Sequence, residues 1–255
     1  MSGENNSATC INCRSTLVGH ICHECGQKRL EQRWSTPDLM RQFFQQLTDV
    51  ERGFLFTVKE LLVHPGDLVR DYWNGKTIPF YNPFRYVLIW TAINLIINFW
   101  LGIDDIISEQ MQPPSLETEF GADHLEAADQ HFDNWLNALV LVQLPVFALL
   151  TKWLFSKGKN NYAENLILIS FLMGEQAVIS SFVQFVFYFI PVLFPIFIPF
   201  TFLWGWAYNT YVFKRVFGEK TWITALKALL IGLIGIVVFW GLVTLAQEVA
   251  LALSQ

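Results

Sequence analysis

Phe84-Arg-Tyr-Val-Leu-Ile-Trp-Thr-Ala-Ile-Asn-Leu-Ile-Ile-Asn-Phe-Trp-Leu-Gly102 carries one charge, Arg85, at its very start. A helix needs about 20 consecutive mainly apolar residues to cross a bilayer, and this run supplies them. Four more stretches read the same way: 135–155, 165–189, 191–213 and 222–253. The whole chain agrees. Of its 255 residues 53% are hydrophobic and only 15% charged, with 23 Phe and 10 Trp, whereas soluble domains average about 25% charged. That composition excludes a disordered chain, a collagen-like repeat and a small disulfide scaffold. It points to an all-α membrane protein with five transmembrane helices.

Charge sorts along the chain. Ten of the 17 Lys and Arg precede or enter the first apolar run, and the rest lie around the links at 152–159 and 214–227. The 103–134 loop has none, yet holds nine acids between Asp104 and Asp133. Basic residues stay on the cytoplasmic side, so the pattern predicts a cytoplasmic N-terminus, five crossings, an acidic external loop at 103–134 and an external C-terminus. Residues 1–30 lack the apolar core of a secretory signal. The stretch before the first span balances ten basic against nine acidic residues, which makes nucleic acid an unlikely partner.

All four cysteines fall before residue 26, as Cys10-x2-Cys13 and Cys22-x2-Cys25. Two such pairs let four thiolates converge tetrahedrally on zinc. Disulfides or a redox pair are the alternatives, and a cytosolic head disfavours the first. His20 and His23 could stand in for a thiolate. A closed four-thiolate site leaves no open position for substrate, so the expected zinc is structural and supplies the folding energy of a segment too short for its own core. Gly26 follows the second pair, where a residue free to take positive φ is useful.

Between this head (1–30) and the spans (83–255), residues 31–82 read as short cytoplasmic helices. Thr36-Pro37 marks one start. Gly53 to Val63 is amphipathic and ends at His64-Pro65-Gly66, and Asp67 to Trp73 closes at Asn74-Gly75. These helices suit either the headgroup layer or the inner ends of the spans. Asn82-Pro83 caps the first span, and Arg85 can reach back to the interface.

The motifs Gly53-Phe-Leu-Phe-Thr-Val-Lys-Glu-Leu-Leu, His64-Pro65-Gly66, Arg70-Asp-Tyr72, Gly75-Lys76 and Tyr81-Asn82-Pro83-Phe84 resemble a family of uncharacterised bacterial membrane proteins. That family joins several spans to a zinc ribbon ending like Cys25-Gly26-Gln27-Lys28 here. Tyr162-Ala-Glu164-Asn165 is similar to its Tyr-x-Glu-His element with Asn165 in place of His, and Tyr211, Phe217-Gly218 and Trp222 to a late pattern. The resemblance spans most of 10–230 and implies a multi-pass protein of the bacterial cytoplasmic membrane, with no activity attached.

Polar groups inside the spans are the remaining candidates. Thr91, Asn94 and Asn98 share one face of the first span, and Gln176, Ser180 and Gln184 one face of the third, next to Glu175, which counting from the start of its span places near the midplane. Interhelical hydrogen bonding is the plain reading of the amides, while an intramembrane acid marks a functional candidate. Pro191, Pro195 and Pro199 suggest a bent fourth span, and Ala228, Gly232 and Gly235 a close helix contact within one chain or between copies of a homo-oligomer. No nucleophile elbow, HExxH or phosphate loop occurs. His64, with Asp67 and Arg70, is the one constellation that could serve a lipid headgroup. The expected function is a non-catalytic membrane module whose head docks a protein partner or senses a signal. A conduit around Glu175 and a lipid-modifying enzyme at the inner interface are the alternatives.

Overall fold

The computed structural model describes residues 9–17, 19–29, 33–39, 53–102, 142–156, 160–190 and 194–253. Among these the protein is helical, without a β-strand; two isolated bridges, Thr9 with Thr16 and Ile21 with Lys28, occur in the cysteine head. After a short turn at 36–39 come α1 (Phe54–Val63), α2 (Pro65–Trp73) and α3 (Pro83–Leu101). Then follow α4 (Val142–Leu154), α5 (Tyr162–Phe189), α6 (Phe194–Phe217) and α7 (Thr221–Leu253). The acidic loop 103–134, expected to be external, and residues 135–141 of the second apolar run lie outside the described residues.

Local chemistry sets the boundaries. Asn82 caps α3 by accepting from the amides of Phe84 and Arg85, and Pro83 occupies the first turn, where a missing N–H costs nothing. Asn161 and Glu164 form a reciprocal capping box at the start of α5. The early turn begins one residue sooner than Thr36 implies: the Ser35 hydroxyl accepts from the Asp38 amide at 3.4 Å, so Ser35 is the cap. Pro199 lies inside α6, which is assigned as one helix from Phe194 to Phe217; Pro191 falls outside the described residues.

Among the described residues, three helices are long and apolar enough to cross a membrane: Pro83–Leu101, Tyr162–Phe189 and Thr221–Leu242. α3 and α5 lie side by side in the same direction. Tyr86 meets Glu175 near the start of α3, and Asn94 meets Ser181 at 3.0 Å and Gln184 at 3.3 Å further along. The contact is close because Gly174 has no side chain; a Cβ there would stand 2.4 Å from the Tyr86 ring.

α5 divides into two halves. From Ala163 to Glu175 every residue but Met173 is buried, in part against α2 through Tyr72 and Phe171. Beyond Glu175, Phe182, Phe185 and Phe189 are exposed, as Ile96, Phe99 and Trp100 are on α3, which is how a lipid-facing surface looks. So α1 and α2 pack on one end of the helix bundle: the Tyr208 hydroxyl of α6 donates to the Leu61 carbonyl at 2.9 Å. The opposite side of α1 leaves Leu55, Phe56, Leu62 and Val63 exposed.

Candidate metal centre and its seat

The head consists of two turns built alike. In the first, the amide of Cys10 donates to Ser15 and that of Arg14 to Cys10; in the second, Cys22 donates to Gln27 and Gly26 to Cys22, all at 2.8–2.9 Å. The residue after each second cysteine takes a left-handed backbone, φ 64° at Arg14 and 75° at Gly26. That conformation is free for glycine and tolerated at cost by Arg14. Each turn then returns on itself through its bridge.

The two turns bring the four thiols together. Cys10 Sγ lies 3.6 Å from Cys25 Sγ and Cys13 Sγ 3.5 Å from Cys22 Sγ, and all four sulfurs fall within 4.8 Å of one another. Four sulfurs at a zinc–sulfur bond of about 2.3 Å would stand about 3.8 Å apart, so the cluster has the size to hold a metal ion. The cysteines are free; a disulfide sulfur pair would be about 2.05 Å apart. His23 turns away toward Glu24.

Ser15 is the first residue the sequence did not single out. Its hydroxyl sits 3.0 Å from Cys13 Sγ and 3.1 Å from Cys22 Sγ. That hydrogen bond, with the Cys25 amide, holds the Cys22 thiol down to about 6, and the same hydroxyl lowers Cys13. Cys25 moves the other way, up to about 11, so Ser15 favours the thiolate at two of the four sulfurs.

Gln27, the counterpart of Ser15 in the second turn, points the other way. It is 2% exposed and joins the head to the loop between α2 and α3. Its Nε2 donates to the Gly75 carbonyl at 2.6 Å, and its Oε1 accepts from the amides of Thr77 at 3.0 Å and Ile78 at 3.2 Å. A second tie follows: Arg33 makes a two-pronged ion pair with Glu164 at 2.8 and 2.5 Å. Asn161 donates to the Trp34 carbonyl at 2.7 Å, and Trp34 stacks on Tyr72. The head is thus seated on the end of α2, the loop that leads into α3 and the start of α5.

The other candidates scatter. His64 lies 3.5 Å from Glu60, while Arg70 pairs with Asp67 at 2.7 Å; the three do not converge on a site. Arg85 is buried over the Tyr81 ring instead of reaching outward. Glu175 is fully buried and accepts from the Tyr86 hydroxyl. Its partner lies in the first turn of α3, and the half of α5 that precedes Glu175 is covered by other helices. The amide face of α5 is divided: Gln176 donates to Asn209 of α6 at 2.8 Å, whereas Gln184 and Ser181, not Ser180, meet Asn94 of α3. Asn98 is half-buried on the same helix. Asn165, held by the Asn161 carbonyl at 2.8 Å, is also buried.

Residues 51–94 match a family described as a protein of unknown function (DUF3667). The match holds α1, α2, the seat of Gln27 and the first half of α3. No curated protein and no solved structure matches the chain.

Proposed function

We propose that the chain is a multi-pass protein of the bacterial cytoplasmic membrane. Its cytosolic head (1–30) binds one structural zinc ion through Cys10, Cys13, Cys22 and Cys25, and the whole acts as a non-catalytic module whose inner face recruits a protein partner. The observation that carries this reading is the seating of Gln27. A metal-built head clamped at 75–78 forms a composite cytoplasmic surface with residues 31–82 instead of swinging on a tether. The outward side of the head leaves Ile11 and Ile21 exposed, a small apolar pair available for contact. Five crossings, within 83–255, follow from the charge sorting. The shared direction of α3 and α5 supports them, because one return crossing must lie between two parallel spans. The bond between Asn94 and Gln184 closes the polar faces of α3 and α5 on each other, which weighs against a conduit between them.

The test combines composition with topology. Purified protein should contain about one zinc per chain. In a background lacking the native cysteines, Ser115→Cys should react with an impermeant maleimide in intact cells and Lys157→Cys only after lysis. Cross-linking from Ile21→Cys, with the other four cysteines retained, should capture a discrete protein. Zinc-free protein with two disulfides, or the opposite labelling pattern, overturns the reading.

A further inference from the structure

A cavity of about 390 Å³ lies between α4, α5, α6 and α7, within the range of small-ligand sites. Its mouth is made of Phe202, Ile236 and Trp240, which are also among the exposed apolar residues of the surface. It therefore opens toward lipid and not toward water. Its inner wall carries three amides: Gln143, Gln176 and Asn209. Gln143 is 8% exposed and makes no hydrogen bond among the described residues. Gln176 and Asn209 bond each other once, leaving one acceptor and one donor side by side. Among the described residues, none that lines it is charged. Gly205 and Gly232 both face open space, since a Cβ on either would meet nothing within 4 Å, whereas one on Gly235 would strike Phe147 at 2.3 Å. The helices approach closely at Gly235 and stand apart at the other two glycines.

Those features select a ligand. An apolar entrance admits molecules already dissolved in the bilayer. The Gln143 amide lines the cavity and is not among the buried side-chain atoms without a partner, so it is accessible from the cavity and open to a ligand's hydrogen bond. A charged ligand group would find no counter-ion and would remain desolvated. We propose that this cavity binds a neutral long-chain alcohol from the membrane, its hydroxyl donating to and accepting from the Gln143 and Gln176–Asn209 amides and its chain lying along Gly205 and Gly232.

The experiment uses full-length protein in lipid nanodiscs and a long-chain alcohol bearing a diazirine. Labelling should map to α6 and α7, saturate, and be displaced by the unreactive alcohol but not by the matching fatty acid. Gly232→Leu, which fills open space, should abolish it with little change in thermal stability; if that variant does not fold, Gly205→Leu takes its place. Gln143→Leu should weaken binding about tenfold through loss of one buried hydrogen bond. The proposal fails if labelling does not saturate, if the fatty acid or a phospholipid competes as well as the alcohol, or if folded glycine variants label like wild type. It fails equally if Gly232→Leu turns a dimer into a monomer, which would show a second copy filling the slot.

Discussion

The turn at Cys10–Thr16 and the turn at Cys22–Lys28 share their cysteine spacing, their hydrogen bonds and a left-handed residue after the second cysteine. Five residues past each first cysteine they part. Ser15 is short and folds back onto the sulfurs; Gln27 is long, turns outward and enters the loop at 75–78. One turn tunes the metal site and the other fastens it to the membrane domain. A repeated metal turn therefore needs only one position changed to become a joint, because the backbone is fixed by the cysteines while that side chain is free.

Removing the metal should break both halves of this contrast at once. Cys22→Ser, or chelation, removes most of a metal-binding free energy on the order of 10 kcal/mol or more. The head should then be cleaved by protease while α5 stays intact. A head that keeps its protection without metal would deny that the cysteines fold it. Gln27→Ala should separate the halves. Zinc content stays near one per chain, yet the Gly75 carbonyl and the Thr77 and Ile78 amides lose their partner, at about 1–3 kcal/mol of docking. A spin label on the head would report the release as faster motion; unchanged motion would mean that the other contacts suffice.

Ser15→Ala should do the converse, leaving the dock in place and weakening metal binding about 10–100-fold, as loss of a bond to a ligand does. The sign with pH follows. Ser15 holds the Cys22 thiol down to about 6, so the thiolate's contribution is full above the ordinary thiol range and is lost as pH falls through about 6. Without the hydroxyl that loss starts at higher pH. Zinc release on acid titration should therefore begin earlier in Ser15→Ala than in wild type, and an identical titration would remove Ser15 from the site. Arg33→Ala should have the smallest effect. Its guanidinium is 60% exposed, and solvent screening leaves such a pair about 1 kcal/mol at most, a shift of a few degrees or less in thermal unfolding.

Spacing made the metal turns legible, since two CxxC pairs leave few other uses. The dock was not legible: Gln27 reaches its partners 48 to 51 residues away and Arg33 finds Glu164 131 residues away, and no local pattern encodes such pairs. The partner of Glu175, Tyr86, was not legible for a related reason. Hydropathy finds where an apolar helix begins, but not how much of it other helices cover, and α5 spends its first half under α1 and α2. α6 shows the reverse. Its apolar run at 191–213 suggested a crossing, but Trp, Tyr, Pro and Asn lower its mean hydropathy, and it is not among the three described helices apolar enough to span on their own.

Hydrogen exchange at the amides of Thr77 and Ile78 tests the joint between metal and membrane domain most directly, because both donate to Gln27. In metal-loaded wild type they should be protected. On chelation they should exchange freely while the amides of 166–172 in α5 stay protected. Protection at 77 and 78 that survives chelation, or is missing with metal bound, would contradict the account.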